Sequence, residues 1–246
     1  MRGDAYTDMH AVEGEHWWFV ARRKILDKII RRFARRGALQ LLEAGCGTGG
    51  NLRMLANIGR VTAFEPNAAA RSLAQRLGVA DVSDGLLPAP HPIQETFDVV
   101  CAFDVIEHLD ADTESCRALA ALIKPDGIGV FTVPAFAFLW SHHDVVLHHK
   151  RRYTRAAFLA MLQGAGLEIV YSSYFNFLLF PAIAGVRVLR TALGARDGEN
   201  DDTAQMPPTP INKALAAVFG AERFLLPALR FPFGVSIVAV VRPVRA

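Results

Sequence analysis

The chain has 246 residues, 52% hydrophobic and 21% charged, with a net charge of +3. That excludes a disordered chain, and so small a basic excess does not mark a nucleic-acid binder. Three cysteines without a CxxC pair exclude a disulfide scaffold and a zinc ribbon, and they fit a reducing cytoplasm.

The polar, acidic start (1–15) lacks the apolar stretch of a secretory signal. Residues 15–36 are predicted as an amphipathic helix ended by Gly37, with Trp18, Arg22, Ile25, Ile29 and Phe33 on one stripe. Eight Lys or Arg fall between Arg22 and Arg36 against one acid, Asp27. A buried strand is expected at 39–44, a glycine-rich corner at 45–50, and a helix to about Asn57. Strand 60–65 follows, then a helix over 67–77 that Asn67 can cap. Further strands are predicted at 79–83 and 97–103; the second is nearly all apolar, as a strand covered on both faces should be. A helix over 113–123 leads into a Lys-Pro-Asp-Gly turn (124–127) and a strand at 128–133. A His- and aromatic-rich loop runs over 135–153. Thr154 then caps a helix ending at Gly164, and 167–174 is a strand. The apolar stretch 174–193 carries Pro181, Arg187 and Arg190, too charged for a spanning helix. An acidic break (196–202), a turn at Pro207, Pro208 and Pro210, a second apolar helix (212–226) and a last strand (233–241) complete the chain. The alternation predicts an α/β fold: a Rossmann-like, doubly wound, mostly parallel seven-stranded sheet, with an N-terminal cap helix and a helical insertion before the last strand. One domain, 1–246, is expected, with a cap (1–38), a cofactor-binding core (39–134), a His-rich substrate loop (135–153) and an apolar insertion (175–230).

Glu43-Ala44-Gly45-Cys46-Gly47-Thr48-Gly49-Gly50 sits where a strand meets a helix. Glycines there admit a ligand close to the backbone, and the helix start offers free N–H groups. Gly45, Gly47 and Gly50 also satisfy the dinucleotide pattern G-x-G-x-x-G, which alone is a weak signal. Glu65, closing the second strand, can accept both hydroxyls of a ribose. Glu43 discriminates, because a buried carboxylate beside the turn repels a pyrophosphate and suits a ligand with an ammonium and a sulfonium. Of the two ribose-bearing candidates, NAD and S-adenosyl-L-methionine (SAM), it favours SAM.

With Glu65-Pro66, this run resembles the first motif and strand-two acid of class I SAM-dependent methyltransferases. The resemblance continues at Asp84-Gly85 and Leu87-Pro88, where the family places an acid on the adenine. Phe97 to Leu109 (FDVVCAFDVIEHL) resembles the strand-four motif of the ubiquinone-type branch. Leu122 to Gly127 resembles the turn before strand five, with Asp126 in place of a glycine. The N-terminal EHWWFVARR run is similar to a helix that covers the cofactor in some members. The resemblance implies SAM contacts from Trp18, Arg22, Arg23, Glu43, Gly45, Cys46, Gly47, Gly49, Glu65, Pro66, Asp84, Gly85, Phe103 and Asp104. Arg22 or Arg23 would hold the methionine carboxylate. The blander alternative keeps the tryptophans as core and the arginines in water. An Asn/Asp-Pro-Pro-Tyr signature, which nucleobase amine methylation would need, is absent.

Four of the eight histidines lie within 142–149. A hydroxyl acceptor needs a base, and His titrates near neutrality. His143, His108 and His142 are the candidates, in that order. The usual spaced pairs of metal ligands are missing, so no metal site is assigned. Lys150, Arg151 and Arg152 are alternative grips for a substrate phosphate or carboxylate. The expected function is methyl transfer from SAM to a small or lipid-linked acceptor, most readily a hydroxyl. An NAD-dependent oxidoreductase and a SAM-binding protein without turnover are the alternatives. The expected location is the cytoplasm, with no nucleic-acid partner. The apolar insertion and the basic helix suggest the inner face of a membrane, or pairing with a second copy.

Overall fold

The computed structural model describes residues 3–89, 93–192 and 206–244. Its seven strands are β1 (Gln40–Ala44), β2 (Arg60–Phe64), β3 (Asp81–Ser83), β4 (Phe97–Phe103), β5 (Ile123–Pro134), β6 (Leu167–Phe175) and β7 (Ser236–Pro243). They form one sheet in the order β3-β2-β1-β4-β5-β7-β6. The pairs from β3 through β5 are parallel, and β7 runs antiparallel to both neighbours. Every residue of β4 is buried, as the continuous apolar run requires of a strand covered on both faces. The strand order reverses between β1 and β4, and in open α/β sheets the crevice at such a reversal receives the ligand.

The helices are α1 (Gly3–Val12), α2 (Trp17–Phe33), α3 (Leu52–Ala56), α4 (Ala68–Arg76), α5 (Asp112–Ala121), α6 (His142–Val146), α7 (Arg155–Gly164), α8 (Phe180–Ala192) and α9 (Thr209–Ala221). The predicted stripe of α2 faces inward: Arg22, Ile25 and Ile29 are buried, joined by Ala21, Leu26 and Ile30. Asn67 caps α4 by accepting from the Ala70 amide, and Thr154 caps α7 through that of Ala157. The buried Asp98 carboxylate pins the base of the sheet. It accepts from the Gln40 N–H at 2.8 Å, Arg35 at 2.7 Å and Lys124 at 3.1 Å. Burial pushes its pKa up, but these donors outweigh burial and hold it below the usual carboxylate value.

The acidic start, for which no element is predicted, forms α1, held down by tertiary contacts rather than by an apolar stripe of its own. Three expectations are corrected. The helix expected to run to Gly37 ends at Phe33. The Lys-Pro-Asp-Gly segment is no separate turn; it belongs to β5, where the register against β4 shifts between Phe97 and Val99. There Gly127 lies so close to β4 that a Cβ would stand 2.9 Å from the Phe97 carbonyl oxygen. Finally, α9 starts at Thr209, with Pro210 in its first turn, where a missing N–H costs nothing. The two apolar helices do lie between β6 and β7. Asn212 ties α9 to the cap, accepting from the Trp17 N–H and donating to the Glu15 carbonyl. The acidic break at 196–202 lies outside the described residues. Among those described, no helix is long and apolar enough to cross a membrane.

Candidate active site

The glycine turn leaves β1 through Gly45, Gly47 and Gly49, all at positive φ, a conformation that costs a residue with a Cβ. A Cβ on Gly45 would stand 2.9 Å from Val105, so this glycine permits contact with the turn after β4. At Gly47 a Cβ would meet nothing nearer than the Met9 methyl, at 3.8 Å. That glycine therefore faces the space between the turn and α1.

Two carboxylates flank the turn. Glu43 is 1% exposed. One of its oxygens accepts from the Asn51 side chain at 2.8 Å, and the other is buried without a hydrogen-bond partner. Burial raises its pKa to about 8, against the lowering effects of Asn51 and Arg22. A buried acceptor left unpaired is costly, and a cationic ligand in the crevice would satisfy it. Glu65 accepts from the Gly47 N–H through one oxygen and the Asn67 N–H through the other, both at 2.9 Å. Each oxygen keeps a second lone pair for a ligand hydroxyl. Tyr6 of α1 lies near Glu65, and burial, then that charge, lifts its phenol to about 12. Glu13, just past α1, accepts from the Thr48 hydroxyl at 2.8 Å, closing the cap onto the turn.

Beyond β4 the backbone turns sharply at Asp104, at φ 55°. A non-glycine residue held there signals a conformation fixed by its surroundings. Arg22 donates to Asp104 Oδ2 at 2.7 Å and to Thr132 Oγ1 at 3.0 Å, while the Thr132 hydroxyl donates to Asp104 Oδ1 at 2.8 Å. The guanidinium also lies 5.5 Å from the centre of the Phe103 ring. Arg22 Nε is buried without a partner, a donor left over for a ligand carboxylate.

The structure separates the remaining sequence candidates. Arg23 donates to the carbonyls of Gly50 and Gly14, on the outer side of the turn. Trp18 packs its ring 5.3 Å from that of Phe219 on α9, so the structure puts it in the packing between α2 and α9. Asp84 is exposed and paired with Arg71 at 2.9 Å. Arg71 also takes the Pro66 carbonyl. Cys46 and Gly85 are buried beside the crevice elements.

The His-rich loop folds back on the turn after β4. The Lys150 N–H donates to the Glu107 carbonyl at 2.9 Å. Asp144, fully buried, is gripped by Arg152 Nε at 2.8 Å and Nη2 at 2.9 Å, by His149 Nδ1 at 2.8 Å, and by the Ser141 N–H at 2.8 Å. Burial alone would raise its pKa; His149 and Arg152 reverse this and hold it far below the usual carboxylate value. The rings of His108 and His143 stand 4.7 and 5.8 Å from that of His149. Burial, then His149, lowers the His108 pKa to about 4. His108 and His143 thus share one cluster with His149. Acidic side chains already engage each residue of the basic run. Arg152 is spent on Asp144, Arg151 on Asp112 at 2.6 Å, and Lys150 on Asp110. Sequence reasoning missed Glu107, Asp144, His149 and Thr132. The Asp104-x-x-Glu107-His108 spacing was the available signal, since residues three and four apart on a tight turn share a face.

An α/β sheet reversing at β1 and β4, with an unsatisfied carboxylate beside a glycine turn there, defines a SAM-binding methyltransferase core. A family model described as "Methyltransferase domain" matches residues 17–172. A probable S-adenosylmethionine-dependent methyltransferase of Mycolicibacterium smegmatis is 27% identical over 160 residues, 63% of this chain and 61% of that relative. A ubiquinone biosynthesis O-methyltransferase of Methylocella silvestris is 32% identical over 145 residues, 52% of this chain and 57% of the relative. The matches therefore span about six-tenths of each relative's length. Among solved structures, the Haloferax volcanii methyltransferase complexed with the Trm112 activator superposes with TM-score 0.63. It is 15% identical, with 99% of this chain and 96% of that chain covered. The [4+2]-cyclase SpnF superposes at 0.56, 18% identical, with 90% and 81% covered. The chain belongs to the class I SAM-dependent methyltransferase family, and its cofactor is S-adenosyl-L-methionine. The dinucleotide alternative falls with that membership.

Proposed function

We propose that this protein methylates a hydroxyl of a small or lipid-linked acceptor. The observation that carries the reading is the cluster of His108, His143 and His149 at the turn after β4, since an imidazole can take the proton of a hydroxyl acceptor. SAM supplies a methyl group on a sulfonium, a good electrophile with a neutral leaving group. The protein's part is to align, to exclude water and to take a proton. Glu43 offers its unpaired oxygen to the cationic end of the cofactor, and Glu65 its remaining lone pairs to the ribose. Arg22 Nε is the donor for the carboxylate. His143 is the candidate base, because the lowered pKa of His108 leaves that ring a weak proton acceptor.

The lipid-linked alternative rests on apolar surface beside the same loop. Phe180, opening α8, packs its ring 5.9 Å from Phe136 and 6.4 Å from Phe138 of the loop. Farther along α8, Val186, Val188 and Leu189 are all at least half exposed. An apolar face continuous with the substrate loop suits a greasy acceptor at a membrane surface, with the basic face of α2 adding attraction to anionic lipid. The same face could instead bury a second copy.

Release of S-adenosylhomocysteine, measured against hydroxyl, amine and carbon acceptors in parallel, tests the proposal. Hydroxyl acceptors should turn over, and His143→Ala should cost about 10²-fold in rate with SAM affinity intact. Turnover confined to amines, or no turnover at all with SAM bound, would overturn it; the second outcome would favour a protein that binds SAM without transferring its methyl group. Co-sedimentation with anionic vesicles that weakens with salt is expected for the membrane reading, and a protein left wholly in the supernatant refutes it.

A further inference from the structure

We propose that Glu107, His108 and His149 form a binding site for a first-row divalent cation, open on the crevice side, that holds the acceptor oxygen. The inference deepens the hydroxyl-acceptor reading and rests on it. Each of the three residues offers one ligand atom, and these atoms all lie within 4.8 Å of one another. Two ligands that each sit about 2.1 Å from a shared ion stand roughly 3 to 4 Å apart. His149 Nε2 and Glu107 Oε1 are separated by 3.9 Å, too far for a hydrogen bond and right for two ligands of one ion.

A second, independent observation points to a ligand. Glu107 is fully buried, and neither of its carboxylate oxygens has a hydrogen-bond partner. Such a group carries an uncompensated desolvation cost. A cation between it and the two imidazoles would remove that cost. The surroundings also fit a ligand set. His149 gives Nδ1 to Asp144, which leaves Nε2 turned to Glu107; a carboxylate behind a histidine in this way fixes ring orientation and raises ligand basicity. Asp144 is itself immobilised by Arg152 and the Ser141 N–H, and the Lys150 N–H ties the His149 strand of the loop to the Glu107 backbone. Asp104, three residues before Glu107, is taken up by Arg22 and Thr132.

Two imidazoles and one carboxylate suit zinc, manganese or iron(II) rather than magnesium or calcium, which take mainly oxygen ligands. Three protein ligands leave coordination positions for an acceptor. A hydroxyl bound there becomes a stronger acid. Its O–H bond breaks with the electron pair kept on oxygen and the proton passed to His143, whose ring lies 5.8 Å from that of His149, which leaves the oxygen poised beside the end of β4. In this arrangement His108 and His149 are ion ligands, and His143 keeps the role of base.

The test titrates the chelator-treated full chain with Co2+, followed by visible absorption, and with Zn2+, followed by calorimetry. SAM affinity is measured in the same samples. One ion per chain is expected, with bands in the visible region from Co2+ bound by nitrogen and oxygen ligands. Glu107→Gln, which keeps the shape of a buried side chain, and His149→Ala should each weaken the ion about 100-fold or more. Asp144→Asn should weaken it about 10- to 100-fold. All three variants should bind SAM within about twofold of the parent. Zn2+ should raise the melting temperature of the parent but not of Glu107→Gln, which holds even where His149→Ala folds poorly. Absence of Co2+ bands, or equal affinity in the parent and Glu107→Gln, would overturn the site. A parent chain that binds the ion but not SAM would instead overturn the methyltransferase reading and leave the ion site standing.

Discussion

Replacing Arg22 by methionine removes the guanidinium that joins the cap helix to the carboxyl ends of β4 and β5. Three interactions go at once: the 2.7 Å pair with Asp104, the 3.0 Å bond to Thr132 and the contact with Phe103. Breaking a fully buried pair costs about 3 to 5 kcal/mol, because the surviving charge is stranded. Arg22 is almost wholly buried, but the Asp104 side chain is 30% exposed and recovers part of its hydration. Methionine also refills the apolar part of the space. The expected loss is therefore about 2 to 3 kcal/mol. Urea unfolding should show it as a lower midpoint at unchanged slope. The double variant with Asp104→Asn should recover about 1 kcal/mol or more relative to the sum of the single losses, since the two residues share one network. A loss under about 1 kcal/mol, or additive effects, would refute the claim that this pair holds the cap to the site.

The elevated pKa of Glu43 sets a pH dependence of known sign. In the folded chain it is about 8, well above its ordinary 4.5, so between these values the folded state holds a proton that the unfolded state has lost. Glu43 therefore makes stability fall as pH rises through that window, by at most about 1.4 kcal/mol per pH unit. Glu43→Gln should flatten that part of the stability curve of the ligand-free protein, and an unchanged slope in denaturation measured from pH 5 to 8 would contradict the assignment. For Asp144 the sign is opposite. Its folded pKa is depressed, so its contribution is present above the unfolded value and lost as pH falls through the acid range. Asp144→Asn should cost about 3 kcal/mol at neutral pH, as removal of one partner from a buried pair does; a change below about 1 kcal/mol in chemical denaturation would show that the Arg152 fork is dispensable.

The sheet was legible because strand and helix periods are local. The all-apolar run at 97–103 and the glycine corner at 45–50 each announce their element without reference to the rest of the chain. Glu43 and Glu65 were legible for the same reason, being fixed by their distance from that corner. What escaped depends on contacts far apart in sequence. α1 has no strong stripe and is fixed instead by Glu13 on Thr48 and by Tyr6 near Glu65. The Lys-Pro-Asp-Gly segment carries turn residues, yet close approach to β4 at Gly127 draws it into β5. The polar cluster was half visible. His108 and the crowded histidines stood out by type, but their grouping required the 135–153 loop to return to the β4 turn. Nothing local tells that Asp144 and Arg152 are internal, or that Trp18 packs against Phe219 of α9.

Calorimetric titration of the chain with SAM bears most directly on the central claim, that the crevice between β1 and β4 is a SAM site. The parent should bind one equivalent. Glu65→Ala should lose about 2 kcal/mol, roughly 30-fold in affinity, because the charged acceptor for the ribose and for the Gly47 and Asn67 amides goes with the side chain. Gly47→Val should abolish binding, since the side chain enters the space under α1 at a backbone angle that valine resists. A parent that takes up no SAM, or both variants binding as the parent does, would contradict it.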